Sequence, residues 1–197
     1  MTPSTFAQRA DLAIAAMKNV DPNIKVGLPL RSDTFNGIAA TPYPGFNNTV
    51  LSSVTSHIDF VSVHNAYLPF VFTETPVSDQ DLYTSAMAAS KVMADDLNAT
   101  ALQVKSLRPE GALPIALTEY NAVFGLSTSA LIQKSSSLAG ALYVADVLSV
   151  LANRTDILVA NFWSLSGNGN FGVVDWSGNP RPAYYVLQAF SRLLQGQ

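Results

Sequence analysis

The run Pro114-Ile115-Ala116-Leu117 constrains the fold more than any other stretch of this chain, because it is apolar without alternation. A strand with one wet face alternates apolar and polar residues, whereas a parallel strand covered on both faces does not. Thr118-Glu119-Tyr120-Asn121 follows directly, so a carboxylate stands where a buried strand ends. Barrel enzymes place their chemistry at that end of their strands. Glu119 is therefore either a catalytic carboxylate or a strand-end acid held by a structural partner.

The rest of the chain sets this strand in an alternating order. Apolar spacing from Thr5 to Asn19 predicts an amphipathic helix, stopped by Asp21-Pro22-Asn23. Residues 24–30 then read as a strand, and Asn47 or Asn48 can cap a short helix through Ser56. A second strand covers 58–64, and a long helix opens at Ser78 or Asp79, passes Ala101 and ends before Pro109. After the strand at 114–119, Ser127, Thr128 or Ser129 can cap a helix to about Asn153, and residues 157–163 form the fourth strand. Phe171–Trp176 and the turn Ser177-Gly178-Asn179-Pro180 suggest a small hairpin. Pro182 suits the first turn of a last helix through Leu194.

Strands alternating with helices imply a parallel sheet built from βαβ units. Four units make either an open doubly wound sheet or half of an eight-stranded barrel. No Gly-x-Gly-x-x-Gly follows a strand and no phosphate-binding Gly-x-x-x-x-Gly-Lys-Ser/Thr is present, so the usual nucleotide readings of an open sheet have no support. Polar and aromatic residues gather instead after each strand: Arg31 and Asp33, His64 and Tyr67, Glu119 and Asn121, Trp163 and Ser164. That convergence favours a barrel rim, with residues 1–197 as a single α/β domain.

Composition narrows the partners. At a net charge of −3 with no cluster of Lys and Arg, nucleic acid and anionic membrane surfaces are not expected. The absence of cysteine rules out disulfides, thiol catalysis and thiolate metal sites. His57 and His64 alone cannot build a histidine-rich metal site, and neither metal nor cofactor is expected. No apolar stretch reaches membrane-spanning length, and Met1-Thr2-Pro3-Ser4 lacks the basic and apolar regions of a signal peptide, so the chain reads as soluble. No serine sits in a Gly-x-Ser-x-Gly elbow.

Several segments together resemble a known family. Thr118-Glu119-Tyr120-Asn121 resembles the seventh-strand motif of the retaining (β/α)8 glycoside hydrolases, nearest to the α-L-arabinofuranosidases and β-xylosidases. Val20–Gly27 resembles the stretch into their fifth strand, Asp59–His64 the sixth, and Asn161–Ser164 the eighth. Gly178–Tyr185 resembles the entry to their last barrel helix. The resemblance implies the C-terminal half of a TIM-type barrel, four parallel βα units, with Glu119 matching the nucleophile. His64 and Tyr67 fall where sixth-strand residues line the sugar site, Asn121 stands beside the nucleophile as a further substrate contact, and Trp163 falls at the aromatic platform under the sugar.

The family's acid/base glutamate lies at the end of the fourth strand, which this chain does not include, so retaining hydrolysis has one of its two carboxyl groups here. Asp33, Glu74 and Asp175 are the other acids near strand ends or loops. The expected activity is weak or reconstituted hydrolysis of glycosides or activated esters. The alternative is a non-catalytic carbohydrate-binding or assembly protein using the same rim. A half barrel leaves two strand edges open, so a homodimer or higher oligomer is expected, with two copies closing one barrel. His57 reads as structural, Trp176 as packing with a substrate-edge role as the alternative, and Asp95 and Asp96 as solvated helix residues; Trp163 could also simply plug the barrel end.

Overall fold

The computed structural model describes residues 1–31, 45–64, 78–122, 136–166 and 171–194. Helix α1 spans Pro3–Val20, with proline in its first turn and the Thr2 hydroxyl accepting from the Thr5 amide at 3.2 Å. Strand β1 is Gly27–Pro29, helix α2 is Phe46–Ser53 and strand β2 is Phe60–Val63. Helix α3, Asp79–Leu107, starts on the Ser78 hydroxyl and stops ahead of Pro109, whose missing amide cannot continue it. Strand β3 is Ile115–Tyr120, helix α4 is Leu138–Ala152, strand β4 is Ile157–Phe162 and helix α5 is Pro182–Leu193. The cap expected at Ser127–Ser129 lies outside the described residues; Ser137 caps α4 by accepting from the Gly140 amide.

The four strands form one parallel sheet in chain order, β1-β2-β3-β4. Leu28, Val61, Val63, Ile115 and Leu117 point to one side and join a continuous core with Ala7 and Ile14 of α1, Val50 and Leu51 of α2, Met93 and Leu97 of α3, and Tyr143, Val144 and Val147 of α4. Each helix packs on the next, α1 on α2 through to α4 on α5, so the helices form one layer over that face. This is half of a (β/α)8 TIM-type barrel, with β1 and β4 at its edges. The opposite face carries Gly27, Pro29, Phe60, Ser62, Val159 and Asn161, and Pro29, Val159 and Asn161 are exposed. The Phe60 ring lies across Gly27, where an added Cβ would come within 2.1 Å of it.

At the N-terminal end of the sheet, polar side chains tie turns to helices. Arg108, 5% exposed, donates to the carbonyls of Leu51, Val54 and Ser56, and pairs with Glu110 at 2.8 Å. Glu110 in turn accepts from the Ile58 amide at 3.1 Å. Burial pushes the Glu110 carboxyl up, but the Arg108 hydrogen bonds together with its own and the Ile58 amides outweigh this and hold it at about 2. Asp59 takes the Val26 amide and the Lys25 and Lys18 ammonium groups, which hold it well below the usual carboxylate range. His57 sits between these acids, 3.4 Å from Glu110 and 3.9 Å from Asp59, in keeping with a structural role.

The small hairpin expected at 171–180 is present in reduced form, as an antiparallel bridge of Val174 with Pro180 flanked by bonds from the Asp175 amide to the Asn179 carbonyl and from the Arg181 amide to the Val173 carbonyl. Asp175 closes its turn by accepting from Ser177 and Asn179, while Gly178 takes the left-handed φ of 82° that the turn requires. Two local expectations need correction. Trp176 is 74% exposed and packs into no core. Asp96 faces inward and is buried, unlike Asp95, which pairs with Lys91 on the solvent face at 2.8 Å. A residue one position along a helix turns by about 100°, which separates these two aspartates.

Candidate active site

The strand ends set the geometry. His64 follows the last residue of β2, Glu119 lies one residue from the end of β3, and Trp163 follows the end of β4. All three therefore stand at the C-terminal end of neighbouring strands. His64 Nε2 lies 3.8 Å from Glu119 Oε1. The Glu119 side chain is 34% exposed and the His64 side chain 56%.

A register shift explains how Glu119 reaches the imidazole. Leu117 pairs with Ala160 and Tyr120 with Phe162, so β3 carries one more residue than β4 between these pairs. In a regular strand consecutive side chains point to opposite faces, and a bulge removes that restriction locally and re-aims a side chain. Here Thr118 and Glu119, adjacent in sequence, both reach His64: Thr118 Oγ1 is 2.5 Å from Nδ1. Thr118 Oγ1 also donates to the Val63 carbonyl at 3.2 Å. Thr118 was not among the site residues expected from sequence; its place immediately before Glu119 is the one signal that pointed to it.

Asn121 has a different place from the substrate contact expected of it. It is 1% exposed, and its amide nitrogen donates to the carbonyls of Trp163 and Phe171 while its oxygen accepts from the Ala122 amide. All of its polar atoms are engaged within the protein, so in this conformation it holds the backbone on which Trp163 stands. The Trp163 amide also donates to the Tyr120 carbonyl at 3.0 Å, and the Trp163–Ser164 peptide is cis. Tyr120 packs edge-on against Phe162 with ring centres 5.5 Å apart, and burial pushes its phenol up to about 12. Trp163 is thus held through its backbone, and the residue is 48% exposed.

Tyr67, Asp33 and Glu74 lie outside the described residues. Asp175, the remaining acid considered, is occupied in its turn. Among the described residues no group of three His, Cys, Asp or Glu side chains is placed to hold a metal ion. Within the same residues no helix is long and apolar enough to cross a membrane.

No protein-family model matches the chain, and no curated protein does. Its backbone is nevertheless similar to solved glycoside hydrolases. A family 51 α-L-arabinofuranosidase from Bifidobacterium longum matches with a TM-score of 0.71 at 17% identity, over 96% of this chain and 40% of its own. The α-L-arabinofuranosidase from Thermotoga maritima, solved with arabinose, matches with a TM-score of 0.65 at 20% identity, over 95% of this chain and 35% of its own. A family 39 glycoside hydrolase from Bacteroides cellulosilyticus gives 0.56 at 17% identity, over 97% of this chain and 38% of its own. The chain spans between a third and two fifths of these enzymes, and what it shares with them is the fold.

Proposed function

We propose that this chain is a hydrolase of the glycoside hydrolase type, acting on glycosides or activated esters, with Glu119 as its nucleophile. The observation that carries the reading is the pairing of Glu119 with His64 at 3.8 Å across adjacent strand ends, on a fold similar to that of glycoside hydrolases. In this reading Glu119 attacks the anomeric carbon, His64 lines the sugar site beside the carboxylate and Trp163 stacks under the sugar ring, since an exposed indole face suits the apolar face of a pyranose or furanose. Asn121 supports Trp163 from below.

Retaining chemistry needs a second carboxyl group ~5–5.5 Å from the first. We assign it to the structure that completes the barrel, and the candidate we favour is a second copy of this chain. Both lateral ends of the half barrel are apolar: Leu158 and Val159 are exposed on β4, and α1 and β1 line a 290 Å³ groove with Phe6, Ala10, Met17 and Leu28. Two copies related by a twofold axis can pair β4 of each with β1 of the other and leave no edge. Glu119 of each copy then lies four strands from its counterpart, diametrically across the mouth, where the retaining pair is three strands apart. The gap between them exceeds the retaining distance, so turnover through the Glu119 nucleophile is expected to be slow; an inverting outcome would instead make Glu119 the general base for a water.

A screen of aryl glycosides and aryl esters with wild type and Glu119→Gln tests the enzyme. Turnover lost in the variant supports the reading; turnover unchanged by it removes Glu119 from the chemistry. The second reading is a carbohydrate-binding protein without turnover, favoured by the half-exposed Trp163 and by the single site carboxylate on the described strands. Sugar binding lost in Trp163→Ala, with no hydrolysis in wild type, selects it. Light scattering at low micromolar concentration tests self-association, and a clean 21.0 kDa monomer would sink the closure by a second copy.

A further inference from the structure

We propose that Thr118 is a positioning residue whose hydroxyl commits His64 to the Nδ1–H tautomer, so that the gap between His64 Nε2 and Glu119 takes a hydrogen-bond donor. The proposal deepens the site described above and rests on that reading for the identity of the ligand, a sugar hydroxyl. Thr118 Oγ1 has two polar neighbours from the β2 end, the Val63 carbonyl at 3.2 Å and His64 Nδ1 at 2.5 Å. A hydroxyl carries one proton, and a carbonyl can only accept. With the threonine proton directed to Val63, Oγ1 is left to accept, and Nδ1 must bear the hydrogen. The reverse assignment gives the proton to Nδ1 and sets two oxygens against each other with no hydrogen between them.

A neutral imidazole has one N–H, and which nitrogen carries it follows from the hydrogen bond the other makes. Nε2 therefore presents a lone pair. It faces Glu119 Oε1 at 3.8 Å, beyond direct hydrogen-bond range, and an ionised carboxylate is also only an acceptor. Two acceptors at this spacing are bridged by one atom that bears donors: a water in the free protein, a hydroxyl of the ligand in the complex. The same pair discriminates against an ether or carbonyl oxygen, which brings a lone pair and no proton. Selection for a free hydroxyl at this point of the sugar is therefore built by Thr118, which need not touch the ligand.

The chain has two histidines, so the tautomer can be read directly. A long-range ¹H–¹⁵N imidazole spectrum of the whole labelled chain, recorded about two pH units above the ordinary histidine pKa of ~6.5, resolves both rings, and His57→Gln assigns them. The expected result is His64 protonated at Nδ1 in wild type and in Thr118→Ser, with the major tautomer reversed to Nε2–H in Thr118→Val. An Nε2–H tautomer in wild type overturns the proposal whatever the variants do, and so does an unchanged His64 in a folded Thr118→Val protein. Because this readout needs no turnover, its failure is separate from that of the hydrolase reading. An Nδ1–H ring in a protein inert toward every glycoside and ester would leave the tautomer standing and remove the activity.

Discussion

The two ends of the parallel sheet use their acidic residues in opposite ways. At the N-terminal end Glu110 and Asp59 are enclosed by cations and backbone amides, each oxygen directed at a named donor, and both carboxyls are held low. At the C-terminal end Glu119 meets the imidazole of His64 beside the exposed indole of Trp163. The first arrangement joins α2, α3 and the start of β2 into one unit through Arg108. The second presents its groups outward. In a barrel fold the N-terminal end characteristically carries stability and the C-terminal end chemistry, and the proposed site follows that division.

The sharpest way to break the comparison is Arg108→Met. This change removes a buried guanidinium, leaving Glu110 and the carbonyls of Leu51, Val54 and Ser56 without their donor, and is expected to cost about 3–5 kcal/mol. Urea unfolding reads it as a lower midpoint, and a loss below about 1 kcal/mol would show that the N-terminal network does not hold the fold. The acid response comes next. Glu110 has a folded value of about 2 against an ordinary 4.5, so the unfolded chain binds its proton more readily. Its contribution is present above pH 4.5 and is lost as pH falls toward 2. Glu110→Gln is expected to be less stable at neutral pH and to lose less on acidification than wild type; parallel pH curves for the two proteins would refute the linkage.

Asn121→Ala tests whether the C-terminal end also contains a structural member. The carbonyls of Trp163 and Phe171 lose their donor, and a cost of about 1–3 kcal/mol is expected. Differential scanning calorimetry measures it, and a neutral result would return Asn121 to the list of ligand contacts. The smallest expected change in stability belongs to Glu119→Gln. A partly exposed carboxylate at a strand end is expected to alter stability by no more than about 0.5 kcal/mol, while any hydrolysis falls to background. A large loss of stability there would make Glu119 a structural acid like Glu110.

Much of the architecture could be read without coordinates. Strands expected at 24–30, 58–64, 114–119 and 157–163 appear at Gly27–Pro29, Phe60–Val63, Ile115–Tyr120 and Ile157–Phe162, parallel and in chain order. Unbroken apolar runs and helical periodicity are local properties, and local spacing is sufficient to specify them. The expected convergence of His64 and Glu119 followed from the same logic, because successive parallel strands deliver their ends to the same side. Asp95 and Asp96 mark where local reading fails, since a helix pattern without its partners does not say which of two adjacent acids faces the next helix.

What the sequence determined by itself is the order of elements, the class of fold and the strand-end position of Glu119, because each depends on residues near one another in the chain. The tertiary structure decided the rest. The bond from Thr118 to His64 spans 54 positions and the one from Asn121 to Trp163 spans 42, while Arg108 reaches carbonyls 52 to 57 positions away. The register shift between β3 and β4 decides that Thr118 and Glu119 meet one imidazole, and no periodicity in either segment announces it. Side-chain partners at such separations are chosen by packing and strand register, which exist only once the sheet and its helices have assembled.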